Sequence, residues 1–79
     1  MNNWNEIRTA YQVARLGTVS AAAEILGVHR STVIRHIDTL EAIFDAKIFL
    51  RHAKGYTPTD LGFDLMRVAR ATEDQFGQL

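Results

Sequence analysis

From Gly27 to Ile37 the chain reads GVHRSTVIRHI, setting two arginines, two imidazoles and two hydroxyls side by side with no carboxylate among them. Such a set could ligate a metal, move protons, or grip a polyanion. His29 and His36 stand seven positions apart, the chain has no cysteine, and no acid of suitable spacing completes a coordination shell, so no metal is expected. Catalysis fits no better: no Ser-His-acid or paired-carboxylate set with a pocket can be assembled in 79 residues, and Asp60 and Asp64 are explained by helix capping. No enzyme activity, catalytic residue or cofactor is therefore expected. The polyanion reading suits the residue types, because Arg binds guanine at two points, Ser and Thr serve donors or acceptors, and an aliphatic group such as Ile34 meets a thymine methyl.

Charge supports this through its distribution. Nine basic residues balance nine acidic ones, so net charge alone names no partner. Yet Ile25 to Ile37 contains no acid beside His29, Arg30, Arg35 and His36, and Ala46 to Thr59 contains none beside Lys47, Arg51, His52 and Lys54. A neutral body with a local positive surface is predicted. The absence of cysteine suits a reducing compartment, making the cytoplasm the expected location. No apolar run approaches the roughly 20 residues that cross a bilayer, so no membrane partner is expected.

The elements that must position these groups follow from apolar spacing. Trp4, Ile7, Tyr11 and Ala14 mark one face of a first helix, about Asn5 to Leu16, stopped by Gly17. Ser20 is expected to cap a short, Ala-rich second helix, Ala21 to Leu26, ending at Gly27. Val33, Ile37, Leu40 and Phe44 then mark a third helix, about Arg30 to Phe44, with Asp45 as its C-terminal cap. Ile48 to Arg51 and Tyr56 to Pro58 read as short strands around His52-Ala53-Lys54-Gly55. Thr59 caps a long last helix carrying Leu61, Leu65, Val68, Thr72, Phe76 and Leu79 along one stripe, flanked by Phe63, Met66 and Ala69. The order predicts a mainly α winged helix-turn-helix: a three-helix core, a two-stranded wing, and a long C-terminal helix with enough apolar surface to pack on the core and on a second copy. In that motif Ala23 must be small where the helices cross, Gly27 reverses the chain, and Val28, Val33 and Ile37 plug the angle between them.

These residues, taken as WNEIRTAYQVARLGTVSAAAEILGV, HRSTVIRHIDTLE, AKIFLR and GYTPTDLG, resemble the N-terminal DNA-binding domain of LysR-type bacterial transcriptional regulators over essentially all 79 positions. The resemblance implies that the third helix enters the major groove, that the wing reaches the flanking minor groove or backbone, and that the last helix pairs two subunits. It also implies a larger effector-binding domain outside these residues, so that the chain is read as a fragment and a small-molecule effector would act only through that other domain. Three departures from the family pattern stand out. His29-Arg30-Ser31 replaces a Ser-Gln-Pro-like opening to the third helix, Ile34 replaces a frequent serine, and Asp45 replaces the usual glycine.

Residues 1–58 are thus expected to form the DNA-binding domain, with the helix-turn-helix at about 19–38 and the wing at about 48–58, and residues 59–79 a linker helix for dimerisation. On the helical wheel Ser31, Arg35 and Asp38 lie opposite the core stripe, with Thr32 and Ile34 on its flanks. Arg30, Ser31, Thr32, Ile34 and Arg35 are expected in the major groove, Arg30 on a phosphate in preference to a base edge and the other four at base edges. Ser20, His29, Arg51, His52 and Lys54 are expected near phosphates, and His36 is expected to be half-buried beside the core. Leu61, Leu65, Val68, Thr72 and Phe76 are expected to form a homodimer on an inverted-repeat duplex. The alternative is a winged-helix protein-interaction module without DNA binding, favoured if Asp38 and Glu41 interrupt the basic face formed by Arg30, Arg35 and Lys54.

Overall fold

The computed structural model describes residues 3–77, and side chains as far as Ala71. Three helices, α1 (Trp4–Leu16), α2 (Val19–Leu26) and α3 (Arg30–Phe44), are followed by a hairpin of β1 (Phe49–His52) and β2 (Gly55–Pro58) and by α4 (Asp60–Gly77). The first predicted strand is displaced by one residue and the second begins one residue earlier: Phe49 pairs with Pro58 and His52 with Gly55, leaving Ala53-Lys54 as the turn. Ile48 lies before the ladder and is fully buried.

The core forms where the three helices and the hairpin base converge, around Ala10, Val13, Ala22, Val33, Ile37, Leu40, Ile48, Phe49 and Met66. Each large side chain buried there contributes about 1.5–3 kcal/mol against conformational entropy. In α1 the fully buried residues are Ala10 and Val13, while Ile7, Tyr11 and Ala14 pack half-buried around them. Ala22 and Ala23 are buried on α2, and their small side chains let α3 approach closely. Gly27 makes the reversal in the left-handed region at φ 68°, and Val28 N–H donates to the Ala23 carbonyl at 3.1 Å. Asp45 closes α3 at φ 51°, as its position predicts.

Four expectations need correction. Thr18, and not Ser20, caps α2: its hydroxyl accepts from Ala21 N–H at 3.1 Å, and Ser20 sits exposed in the first turn. The cause is backbone shape, since the cap residue must be extended, and Thr18 at φ −138°, ψ 152° is β-branched and suited to that. Val28 is 39% exposed and rims a shallow cleft with Leu26 and His36 instead of plugging the interhelical angle. Phe44 is 43% exposed, because α3 ends at the next residue and the returning chain fills the core with Ile48 and Phe49. On α4 the side chains buried against the domain are Met66 and Ala69, with Leu61 and Leu65 packed half-buried beside them, so the predicted stripe is turned partly inward. Val68 and Phe63 are exposed; the side chains of Thr72, Phe76 and Leu79 lie outside the described residues.

Two backbone junctions hold the hairpin in place. Tyr56 N–H donates to the Gly17 carbonyl at 2.9 Å, docking the wing on the loop that opens α2. Thr59 ties the other end: its N–H donates to the Ile48 carbonyl at 3.0 Å and its hydroxyl to the Lys47 carbonyl at 2.8 Å, while the same oxygen caps α4 through Gly62 N–H.

Candidate nucleic-acid interface

α3 offers its N-terminal half outward because Val33, Ile37 and Leu40 fix the opposite side in the core. Ser31, Arg35 and Asp38 are exposed, Thr32 is half-buried, and Ile34 is half-buried with part of its side chain against the core. His29 starts the helix: its backbone is extended at ψ 150° and its Nδ1 accepts from Ser31 N–H at 3.4 Å, so this imidazole does the work usually given to a serine or asparagine. His36 has a different role. Its Nδ1 lies 2.8 Å from the Thr9 hydroxyl, which donates to the Asn5 carbonyl, so the ring links α3 to α1 as a half-buried group.

One cleft gathers side chains from three elements: Thr18, Val19 and Ser20 at the start of α2, Arg30 and Ile34 on α3, and His52 to Tyr56 at the wing tip. The residues meet there because the Tyr56–Gly17 bond brings the wing against the α2 N-terminus. His29, Ser31, Thr32, Arg35 and Arg51 lie outside this cleft. Among the described residues Arg30, Arg35 and Lys54 form no ion pair, and their charges are free. Ser20 is exposed beside the free backbone donors of the first turn of α2.

Arg51 behaves otherwise. It donates to Asp38 at 2.8 Å and to Glu41 at 3.4 Å, and its guanidinium stands 5.3 Å from the centre of the Tyr56 ring. The hydrogen bond to Asp38 holds Arg51 charged above the usual guanidinium range, outweighing the opposing effect of burial. Glu41, whose side chain is only 10% exposed, also accepts from Ile48 N–H at 3.0 Å and lies 3.7 Å from Lys47. Glu41 is therefore turned into the hairpin base, whereas Asp38 remains 58% exposed at its side chain, one turn along α3 from Arg35. His52 is tethered across the strands, its Nε2 lying 2.7 Å from the Thr57 hydroxyl. These links join residues 5 to 13 positions apart, across elements, where no local pattern announces them.

The geometry accords with the comparisons. Residues 4–63 match the model of a family described as bacterial regulatory helix-turn-helix protein, lysR family. The chain belongs to the LysR family. Over 60 residues it is 45% identical to the transcriptional regulator GalR of Pseudomonas putida, covering 76% of this chain and 15% of that one. Over 74 residues it is 35% identical to the regulator CbbR of Sinorhizobium medicae, covering 94% of this chain and 24% of that one. Among solved structures, the DNA-binding domain of CbnR in complex with DNA superposes with a TM-score of 0.87 at 26% identity, covering 99% of this chain and 88% of that one. The stretch that this LysR-family chain shares with GalR and CbbR is thus no more than about a quarter of the length of either relative. Among its described residues no helix is long and apolar enough to cross a membrane.

Proposed function

We propose that this chain binds double-stranded DNA sequence-specifically as the DNA-reading part of a transcriptional regulator, with α3 in the major groove and the wing against the flanking minor groove or backbone. The observation that carries this is the cleft that unites Ser20, Arg30, Ile34, His52 and Lys54 from three elements, with Arg30 and Lys54 unneutralised. A duplex lying along α3 would meet Arg30, Ser31, Thr32, Ile34 and Arg35 at base edges, and Ser20, His29, His52 and Lys54 beside phosphates. Arg51 reaches DNA only by leaving Asp38. The relatives are regulators by name, and the CbnR structure contains DNA.

Two copies pair through α4, with Val68 at the exposed centre, Leu61 and Leu65 at the edge, and Thr72 and Phe76 further along. A two-fold pair presents its α3 helices to an inverted repeat whose half-sites lie about one helical turn apart, or a multiple of it. The domain carries no reaction and needs no cofactor. It works in the cytoplasm, and any small-molecule effector acts through a further domain of the kind the relatives' greater length accommodates.

Titration of a labelled duplex tests this directly. With six to ten phosphate contacts, affinity falls by roughly a thousandfold or more between 50 and 200 mM salt. Selection from a randomised duplex library returns an inverted repeat. Binding indifferent to salt, or a library with no enriched sequence, would overturn the reading.

A further inference from the structure

We propose that His29 fixes the hydrogen-bonding polarity of Ser31, so that Ser31 selects, on the strand it contacts, a base presenting an amino group, adenine N6 or cytosine N4, and discriminates against guanine and thymine at that position. This rests on the reading of α3 as the major-groove element.

The argument starts from the cap. Ser31 N–H donates to His29 Nδ1, and an N–H can donate only to a ring nitrogen that carries no proton. The neutral imidazole is therefore the tautomer with its proton on Nε2. The Ser31 hydroxyl lies 3.1 Å from the same Nδ1. Since that nitrogen is an acceptor, the hydroxyl is the donor, and its single hydrogen is directed back at the imidazole. What Ser31 has left for a ligand is the pair of lone pairs on Oγ. An ordinary serine is ambiguous because its hydroxyl rotates to suit either partner; this one is held as an acceptor. In the major groove the donors are the amino groups of adenine and cytosine, whereas guanine shows only acceptors and thymine an acceptor and a methyl. Ser31 is exposed on the outward face of α3, so its oxygen is available to such a group. The Nε2–H of His29 is a second donor at the helix entrance, suited to a phosphate.

The test is selection from a randomised duplex library with the wild-type chain and with Ser31→Ala, His29→Ala and His29→Asn, together with nitrogen chemical shifts of the His29 ring. One position of the wild-type site shows adenine or cytosine over guanine and thymine by about fivefold, the worth of one hydrogen bond. Ser31→Ala abolishes that preference alone. His29→Ala relaxes it, because the hydroxyl is released to donate, and His29→Asn restores it, because the asparagine oxygen takes the place of Nδ1 and still caps the helix. The free chain shows an unprotonated Nδ1 and a protonated Nε2. A Ser31-dependent preference for guanine or thymine would overturn the inference, as would His29→Ala leaving the preference intact, or the proton residing on Nδ1. Absence of any enriched site would instead defeat DNA reading itself while the ring shifts still report on the tautomer.

Discussion

Arg51 of β1 donates to Asp38 of α3 at 2.8 Å, so a cation of the wing is engaged by a carboxylate of the helix it packs beside. Wing and helix are thereby coupled through charge on the surface proposed for DNA. The pair is substantially exposed and contributes under about 1 kcal/mol to stability. Its larger effect is on binding: Asp38 both repels phosphate and occupies the cation that would meet one. Asp38→Asn is expected to raise affinity several-fold for all duplexes alike and to steepen the dependence of log affinity on log salt by about 0.9, the signature of one added phosphate contact. Anisotropy titrations across salt measure both, with thermal unfolding nearly unchanged. Unaltered salt dependence would show that Arg51 stays away from DNA.

Glu41 is the other carboxylate on Arg51, and its main duty is internal. One oxygen accepts from Ile48 N–H, in a side chain that is 10% exposed, and thereby fixes the return from α3 into the hairpin. Glu41→Ala leaves that N–H without its acceptor and is expected to cost about 1–3 kcal/mol in urea unfolding. Glu41→Gln keeps an acceptor and should recover much of the loss, whereas a purely electrostatic role would make the two variants equal.

Gly62 inverts an ordinary rule. Within a helix Gly→Ala is favourable by about 0.8–1.0 kcal/mol. Here an added Cβ would collide with the Ile48 carbonyl oxygen and press on Pro58, because the start of α4 lies directly on the hairpin base. Gly62→Ala is expected to destabilise by about 1–3 kcal/mol through overpacking. Gly17 provides the contrast: nothing lies within 4 Å of its Cβ position, and the penalty for Ala comes only from φ 85°, about 1–2 kcal/mol. Denaturant midpoints at equal slopes measure both losses, and a stabilised Gly62→Ala would show that the helix start has room for the added Cβ.

Much of this was legible in the sequence, because apolar spacing reports which face of a helix is buried. Val33, Ile37 and Leu40 are all buried as their period predicts, and Gly17, Gly27 and Asp45 stop their helices. The failures are informative for the same reason. Thr18 and Ser20 are both hydroxyls two residues apart, and backbone shape decides between them: Thr18 is extended, as a cap must be, whereas Ser20 is already within the helix. Periodicity kept counting at Phe44, where the core had already been closed by Ile48 and Phe49. The pairing of Asp38 with Arg51 and of Thr9 with His36 depends on how elements pack, and residue type alone leaves such a carboxylate or imidazole looking like a solvated surface group.

Arg35 and Lys54 divide the proposed interface into reading and holding. Arg35 is exposed on α3 opposite Val33 and Ile37, and among the described residues it forms no ion pair. Lys54 is at the turn of the wing, in the cleft that also holds Arg30 and Ser20. A guanidinium on a base edge distinguishes sequences, whereas an ammonium on phosphate meets the same group in every duplex. Arg35→Ala is therefore expected to cost about 1–3 kcal/mol on a selected site and far less on random duplex, relaxing preference at its own base pair. Lys54→Ala should weaken both duplexes equally and lower the salt slope by about 1. Measuring each variant on both duplexes at several salt concentrations decides the matter: equal losses for Arg35→Ala would move it from base reader to backbone contact, and a sequence-dependent loss for Lys54→Ala would bring the wing into the readout.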